Sequence, residues 1–104
     1  FRNIVYVAHP YGGNQENCHR VEYIMNQLAK AYPEYLFVSG ITSFGYCYFD
    51  LDYQDGLDRC LWLLDHCDEV WVFGNYTDSK GCMAEIEFCQ QHRIPYYFKS
   101  LEGE

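Results

Sequence analysis

The chain has 104 residues, of which 49% are hydrophobic and 19% aromatic, enough for one globular domain spanning 1–104 with a single core. Its formal net charge of −8 argues against a nucleic-acid backbone or an anionic membrane surface as partner, although loop amides can still hold a small anion locally. No apolar run approaches the ~20 residues of a membrane span, and no signal peptide is visible, so a cytoplasmic protein is expected.

Arg2 to Ala8, centred on Ile4-Val5-Tyr6-Val7, is a continuous apolar run and reads as a strand buried on both faces. The loop His9-Pro10-Tyr11-Gly12-Gly13-Asn14 ends it. A helix is predicted from about Glu16 to Tyr32, with Val21, Ile24, Met25 and Leu28 on one stripe and Pro33 as its stop. Tyr35 to Ser39 is a second short strand. Gly40 to Tyr53 reads as irregular and aromatic, with Phe44, Tyr46, Tyr48, Phe49 and Tyr53, and a long aromatic connection in a compact domain points to function.

Gln54 to Cys67 is predicted to be the second helix, with Leu57, Cys60, Leu61 and Leu64 facing inward. Glu69 to Phe73 is a third strand, Ser79 to His92 a third helix with Cys82, Ile86 and Cys89 on its apolar stripe, and Ile94 to Phe98 a fourth strand. Strands alternating with helices imply a parallel sheet wrapped by helices, a three-layer Rossmann-like (flavodoxin-like) α/β fold of four to five strands in the order 2-1-3-4. Ligands in such sheets sit beyond the C-terminal strand ends at the switch point, here between the first and third strands. The loops His9–Asn14 and Gly74–Ser79 should therefore face each other.

The six cysteines include no C-x-x-C pair, and Cys60/Cys67 and Cys82/Cys89 are each two helical turns apart, roughly 10 Å along the axis and too far for a bridge. His9, His19, His66 and His92 do not cluster with them at ligand spacing, so reduced, mostly buried thiols are expected and no metal.

Chemistry is most concentrated in Ser79-Lys80-Gly81-Cys82-Met83-Ala84-Glu85, which follows the apolar run Val70-Trp71-Val72-Phe73-Gly74. A serine and a glycine at a loop-to-helix junction present backbone N–H groups to an anion, and Glu85 projects a carboxylate further along the same end. On spacing alone the plainer reading is that Ser79 is an N-cap and Glu85 a solvated helix residue.

Three blocks resemble the nucleoside 2-deoxyribosyltransferase-like superfamily, which includes the 2'-deoxynucleoside 5'-phosphate N-glycosidases. They are Ile4-Val5-Tyr6-Val7-Ala8-His9-Pro10-Tyr11-Gly12-Gly13, Leu61-Trp62-Leu63-Leu64-Asp65-His66-Cys67-Asp68-Glu69-Val70, and Ser79-x-Gly81-x-x-x-Glu85. The resemblance implies cleavage of an N-glycosidic bond, with Glu85 attacking the anomeric carbon to form a glycosyl-enzyme intermediate and Tyr6 orienting that carboxylate. Tyr6 packing plainly within the sheet is the alternative for that residue. The resemblance also implies a 5'-monophosphate ligand: members acting on free nucleosides tend to carry an acid at the position of Ser79, where a hydroxyl accepts phosphate and a carboxylate repels it. His9, Gly12, Gly13, Asn14, Ser79 and Gly81 are the candidate phosphate and substrate contacts.

One position departs from the pattern. Cys60 stands where the family has an aspartate that assists the leaving base; Asp58 is a possible acid two residues away on a different helix face, and Asp50, Asp52, Asp55 and Asp65 are others in the region. Loss of a general acid costs a typical ~10²–10⁴-fold. The chain also ends soon after the fourth strand, short of the extension that completes neighbouring sites in the transferases, so hydrolysis is expected over base exchange. A second expectation, motivated by Cys60 and the aromatic stretch, is a protein that binds or sequesters a nucleotide without turning it over. Either suits a homodimer or larger homo-oligomer, and neither needs a cofactor.

Overall fold

The computed structural model describes residues 1–101. Four strands, β1 (Asn3–Ala8), β2 (Tyr35–Val38), β3 (Glu69–Val72) and β4 (Tyr96–Phe98), form an all-parallel sheet in the order β2-β1-β3-β4. Helices α1 (Gln15–Ala31), α2 (Gly40–Phe44), α3 (Tyr53–Asp65) and α4 (Lys80–His92) connect them. The predicted strand order and three-layer α/β architecture hold, with four strands among the described residues.

The sheet's two faces explain the layering. Val5, Val7, Trp71 and Phe73 point to one side and meet Ile24 and Leu28 of α1. Tyr6, Ala8, Val70 and Val72, one residue out of phase, meet Leu64 of α3 and Ile86 and Cys89 of α4 on the other. A right-handed crossover leaving β1 toward β2 lies on the opposite face from those running back to β3 and on to β4. That places α3 and α4 side by side over Tyr6.

Each helix starts on a side-chain cap. Asn14 Oδ1 accepts from the Glu16 N–H (2.8 Å), Ser39 Oγ from the Ile41 N–H (3.0 Å), Asp52 Oδ1 from the Asp55 N–H (2.8 Å), and Ser79 Oγ from the Cys82 N–H (3.1 Å). α1 closes when the Tyr32 N–H donates to Leu28 O just before Pro33, and α4 ends on Arg93 in the left-handed region. Asp68, in the turn between α3 and β3, accepts the Ile4 N–H at 2.7 Å and so ties that turn to β1.

Several expectations need correction. The stretch Gly40 to Tyr53 is not irregular: α2 and a 3₁₀ turn over Gly45–Cys47 occupy its first half. A five-residue helix has no room for an apolar period, and its signal is the buried cap Ser39. A second 3₁₀ turn, Tyr76–Asp78, lies between β3 and α4. β4 begins at Tyr96 rather than Ile94, since Pro95 has no N–H to give the ladder; its carbonyl still accepts from Val70 N–H at 2.9 Å. All six thiols are free, but only Cys82 and Cys89 are buried, the other four being partly exposed.

Neighbouring positions on α3 test this packing. Leu64 is 0% exposed in the core and Trp62 is 65% exposed. Leu64→Ala is expected to cost about 2–5 kcal/mol and Trp62→Ala about 0.5 kcal/mol or less, measured by urea unfolding. Equal losses would show that the α3 register is wrong.

Candidate functional site

Loops leaving the C-terminal ends of β1 and β3 meet where the strand order reverses. The contact is close: a Cβ on Gly74 would come 3.0 Å from His9 Nε2 and 3.1 Å from Pro10 Cδ, and φ at Gly74 is +78°. Glycine satisfies both constraints. Below this junction, a cavity of about 680 Å³ opens between the β1–α1 loop, α2, the N-terminal turn of α3 and the N-terminal turn of α4. That volume falls within the range of small-molecule sites.

Glu85 and Tyr6 form the cavity floor. The Tyr6 hydroxyl donates to Glu85 Oε2 at 2.5 Å, a distance typical of an O–H donor on a carboxylate. Tyr6 is 1% exposed and Glu85 7%. Burial pushes the Glu85 carboxyl up from 4.5 to about 7, with the Tyr6 hydrogen bond pulling the other way. Burial, then the Glu85 charge, holds the Tyr6 hydroxyl well above the usual phenol range, so it stays a donor. Neither plain reading fits these two residues: Glu85 is not solvated, and the Tyr6 hydroxyl has a specific partner.

The other expected residues divide. His9, Gly12, Ser79 and Gly81 line the cavity. His9 Nδ1 donates to Pro10 O at 2.7 Å, which turns its Nε2 edge toward Gly74. A Cβ on Gly12 would meet nothing within 4 Å, and one on Gly81 only Ser79 Oγ at 3.9 Å, so neither position is crowded. Ser79 is both an N-cap and a lining residue.

Gly13, Asn14 and Asp58 do not line the cavity. Gly13 has φ +75°, and a Cβ there would run into the Tyr48 and Phe49 rings, 2.8 and 3.0 Å away. The Asn14 side-chain oxygen caps α1. Asp58 lies on the exposed side of α3, where its Oδ1 accepts from Gln54 Nε2 at 2.8 Å.

Sequence reasoning missed three parts of the lining. Cys60, expected on the core stripe, lies beside Tyr6 in the cavity, and burial pushes its thiol up to about 11. Asp52 also lines the cavity, with one oxygen on the Asp55 N–H. The Lys80 ammonium sits 5.1 Å from the centre of the Tyr53 ring, a cation at the cavity mouth. Its place immediately after the Ser79 cap was a visible signal; for Cys60 the signal was its standing where the resemblance puts an acid, set against a helix spacing that reads as core. Phe44, Tyr48 and Tyr53 from the aromatic stretch do line the cavity, as its composition suggested.

A parallel α/β domain with a buried carboxylate at its switch point is thus the class of protein that fold and site define. A family model described as a domain of unknown function (DUF7768) matches residues 49–99, which take in α3, β3, α4 and β4. Among curated proteins none matches the chain. Among the described residues no group of three or more His, Cys, Asp or Glu side chains could hold a metal ion, and no helix is long and apolar enough to cross a membrane.

The Glu85 environment has a stability consequence. Below pH 4.5 the carboxyl is protonated in both the folded and unfolded chain; between 4.5 and about 7 the folded chain keeps a proton that the unfolded chain has released, so stability falls as pH rises. Above that window the whole cost remains, on the order of 3 kcal/mol. Glu85→Gln is expected to be more stable than the wild type by about that amount at pH 8.5, with the gap closing at about pH 4, as read by urea unfolding at each pH. A constant gap across pH would mean that Glu85 titrates as an ordinary surface acid.

Proposed function

We propose that this chain is a nucleotide N-glycosidase-like hydrolase that releases the base from a (deoxy)nucleoside 5'-monophosphate or a related nucleotide. The observation that carries the reading is the buried Tyr6–Glu85 pair on the floor of a cavity whose rim holds a helix N-terminus. In this reaction an ionised Glu85 oxygen attacks the anomeric carbon. The C–N bond breaks, its electron pair leaves with the base, and water protonates the base. A second water then hydrolyses the glycosyl ester and restores the carboxylate. Tyr6 holds the attacking group in place by its hydrogen bond to Oε2.

The remaining lining fits the parts of such a ligand. Ser79, the Gly81 and Gly12 backbones and the Lys80 ammonium suit a 5'-phosphate at the rim, where they offset the chain's negative charge locally. Phe44, Tyr48 and Tyr53 suit a flat base.

Base release from a panel of nucleoside 5'-monophosphates, followed by chromatography, is the test. Activity is expected to rise with pH through about 7 as Glu85 ionises, and to fall on the order of 10³-fold or more in Glu85→Gln. No base from any common nucleotide, or an equally active variant, would falsify the hydrolase.

One observation favours a second reading, a nucleotide-binding or sequestering protein that spares its ligand. Asp58 faces solvent and Cys60 stands where the resemblance puts an acid, so the proton donor that the resemblance implies for the leaving base is missing. A melting-temperature rise with nucleotide recovered intact separates the two; a ligand at a hundred times its Kd adds ~2.7 kcal/mol.

A further inference from the structure

We infer that Gly40 is a positioning residue for Glu85: its missing side chain lets the α2 backbone close on the Tyr6 hydroxyl and keep its O–H on the carboxylate. Gly40 is the first residue of α2 and is buried. A Cβ built on it would overlap the Tyr6 hydroxyl, and it would lie 2.5 Å from Cys60 Sγ and 3.1 Å from Cys60 Cβ. The α2 backbone therefore lies directly on the hydroxyl, and only glycine permits that approach. Its φ is not in the left-handed region, so the requirement is one of space rather than of backbone conformation.

Cys60 closes the other side. Its Sγ meets the same Gly40 position as the Tyr6 hydroxyl does, so the thiol packs beside it. The Tyr6 ring cannot swing away, because it sits in the core cluster with Ala8, Leu64, Val70, Val72 and Ile86.

The titratable groups facing Glu85 are Tyr6 from β1, Tyr53 and Cys60 from α3, and Cys82 and Cys89 from its own helix. From α2, Gly40 brings no charge, so a substitution there acts through Tyr6. Ile41, Phe44 and Gly45 of the same short segment wall the cavity, so one piece of backbone shapes the ligand's space and holds the dyad. The inference rests on the proposed reaction only for its effect on rate, since the geometry exists without turnover.

The Glu85 carboxyl can be titrated by ¹³C NMR in the glutamate-labelled full chain, its signal assigned by its loss in Glu85→Gln. Tyr6→Phe is expected to raise the midpoint by on the order of one pH unit, because a hydrogen bond to the charged form is lost. Gly40→Ala should raise it by a similar amount, although alanine normally favours a helix over glycine. In the Tyr6→Phe background, where the hydroxyl that the new methyl would strike is gone, Gly40→Ala should add no further shift. The inference is overturned if Tyr6→Phe leaves the midpoint unmoved, if Gly40→Ala titrates like the wild type, or if it shifts the midpoint equally in both backgrounds. Should Gly40→Ala alone not fold, recovery of folding in the Tyr6→Phe background supports the inference and failure to recover overturns it. Wild-type protein that releases no base while its variants titrate as expected leaves the positioning intact and removes the reaction.

Discussion

A single hydrogen bond, from the Tyr6 hydroxyl to the Glu85 carboxylate, organises this molecule's polar interior. A carboxylate in an apolar surrounding is costly unless a donor meets it, and a phenol buried in a sheet needs an acceptor. Each group answers the other's requirement. Glu85 still lies well above the ordinary carboxylate range, so the pairing offsets desolvation only in part. A protein that keeps such a group instead of a leucine keeps a destabilising one, and destabilising buried acids are characteristic of sites that bind or react.

The topology determines where this pair can sit. Tyr6 is on β1, next to β3 and at the reversal of strand order, and it points to the face that α3 and α4 cover. The helices α2, α3 and α4 all begin at the C-terminal edge of the sheet, so their capped N-termini surround one cavity. Their dipoles supply positive potential where the sequence supplies mostly acids. That is how a chain of net charge −8 can present an edge hospitable to an anion.

The fold was largely legible in the sequence because its signals are long and redundant. The runs Ile4–Val7 and Val70–Phe73, the stripe Val21, Ile24, Leu28 and the stop at Pro33 each point to the same element type. Right-handed crossover then leaves few strand orders. The short α2 was not legible, since five residues carry no period and its buried cap looks like any serine. Of the site, Glu85, Tyr6, Ser79, Gly81, Gly12 and His9 could be named from loop position and resemblance. Gly13 and Asn14 could not be told from their neighbours, because which loop residue faces the cavity depends on φ and on where the Tyr48 and Phe49 rings pack. Cys60 looked like a core residue because a helix face toward the sheet and a helix face toward a cavity beside it have the same spacing.

The two members of the dyad are 79 residues apart in the chain, one on the first strand and the other on the last helix. Closing so long a loop carries a larger entropic cost than pairing β1 with β2, whose partners are about 32 residues apart. The matched stretch 49–99 contains the acid without its tyrosine. A fragment of that extent would lack Tyr6, the donor that meets Glu85 in this fold, and with it the strand that covers the acid.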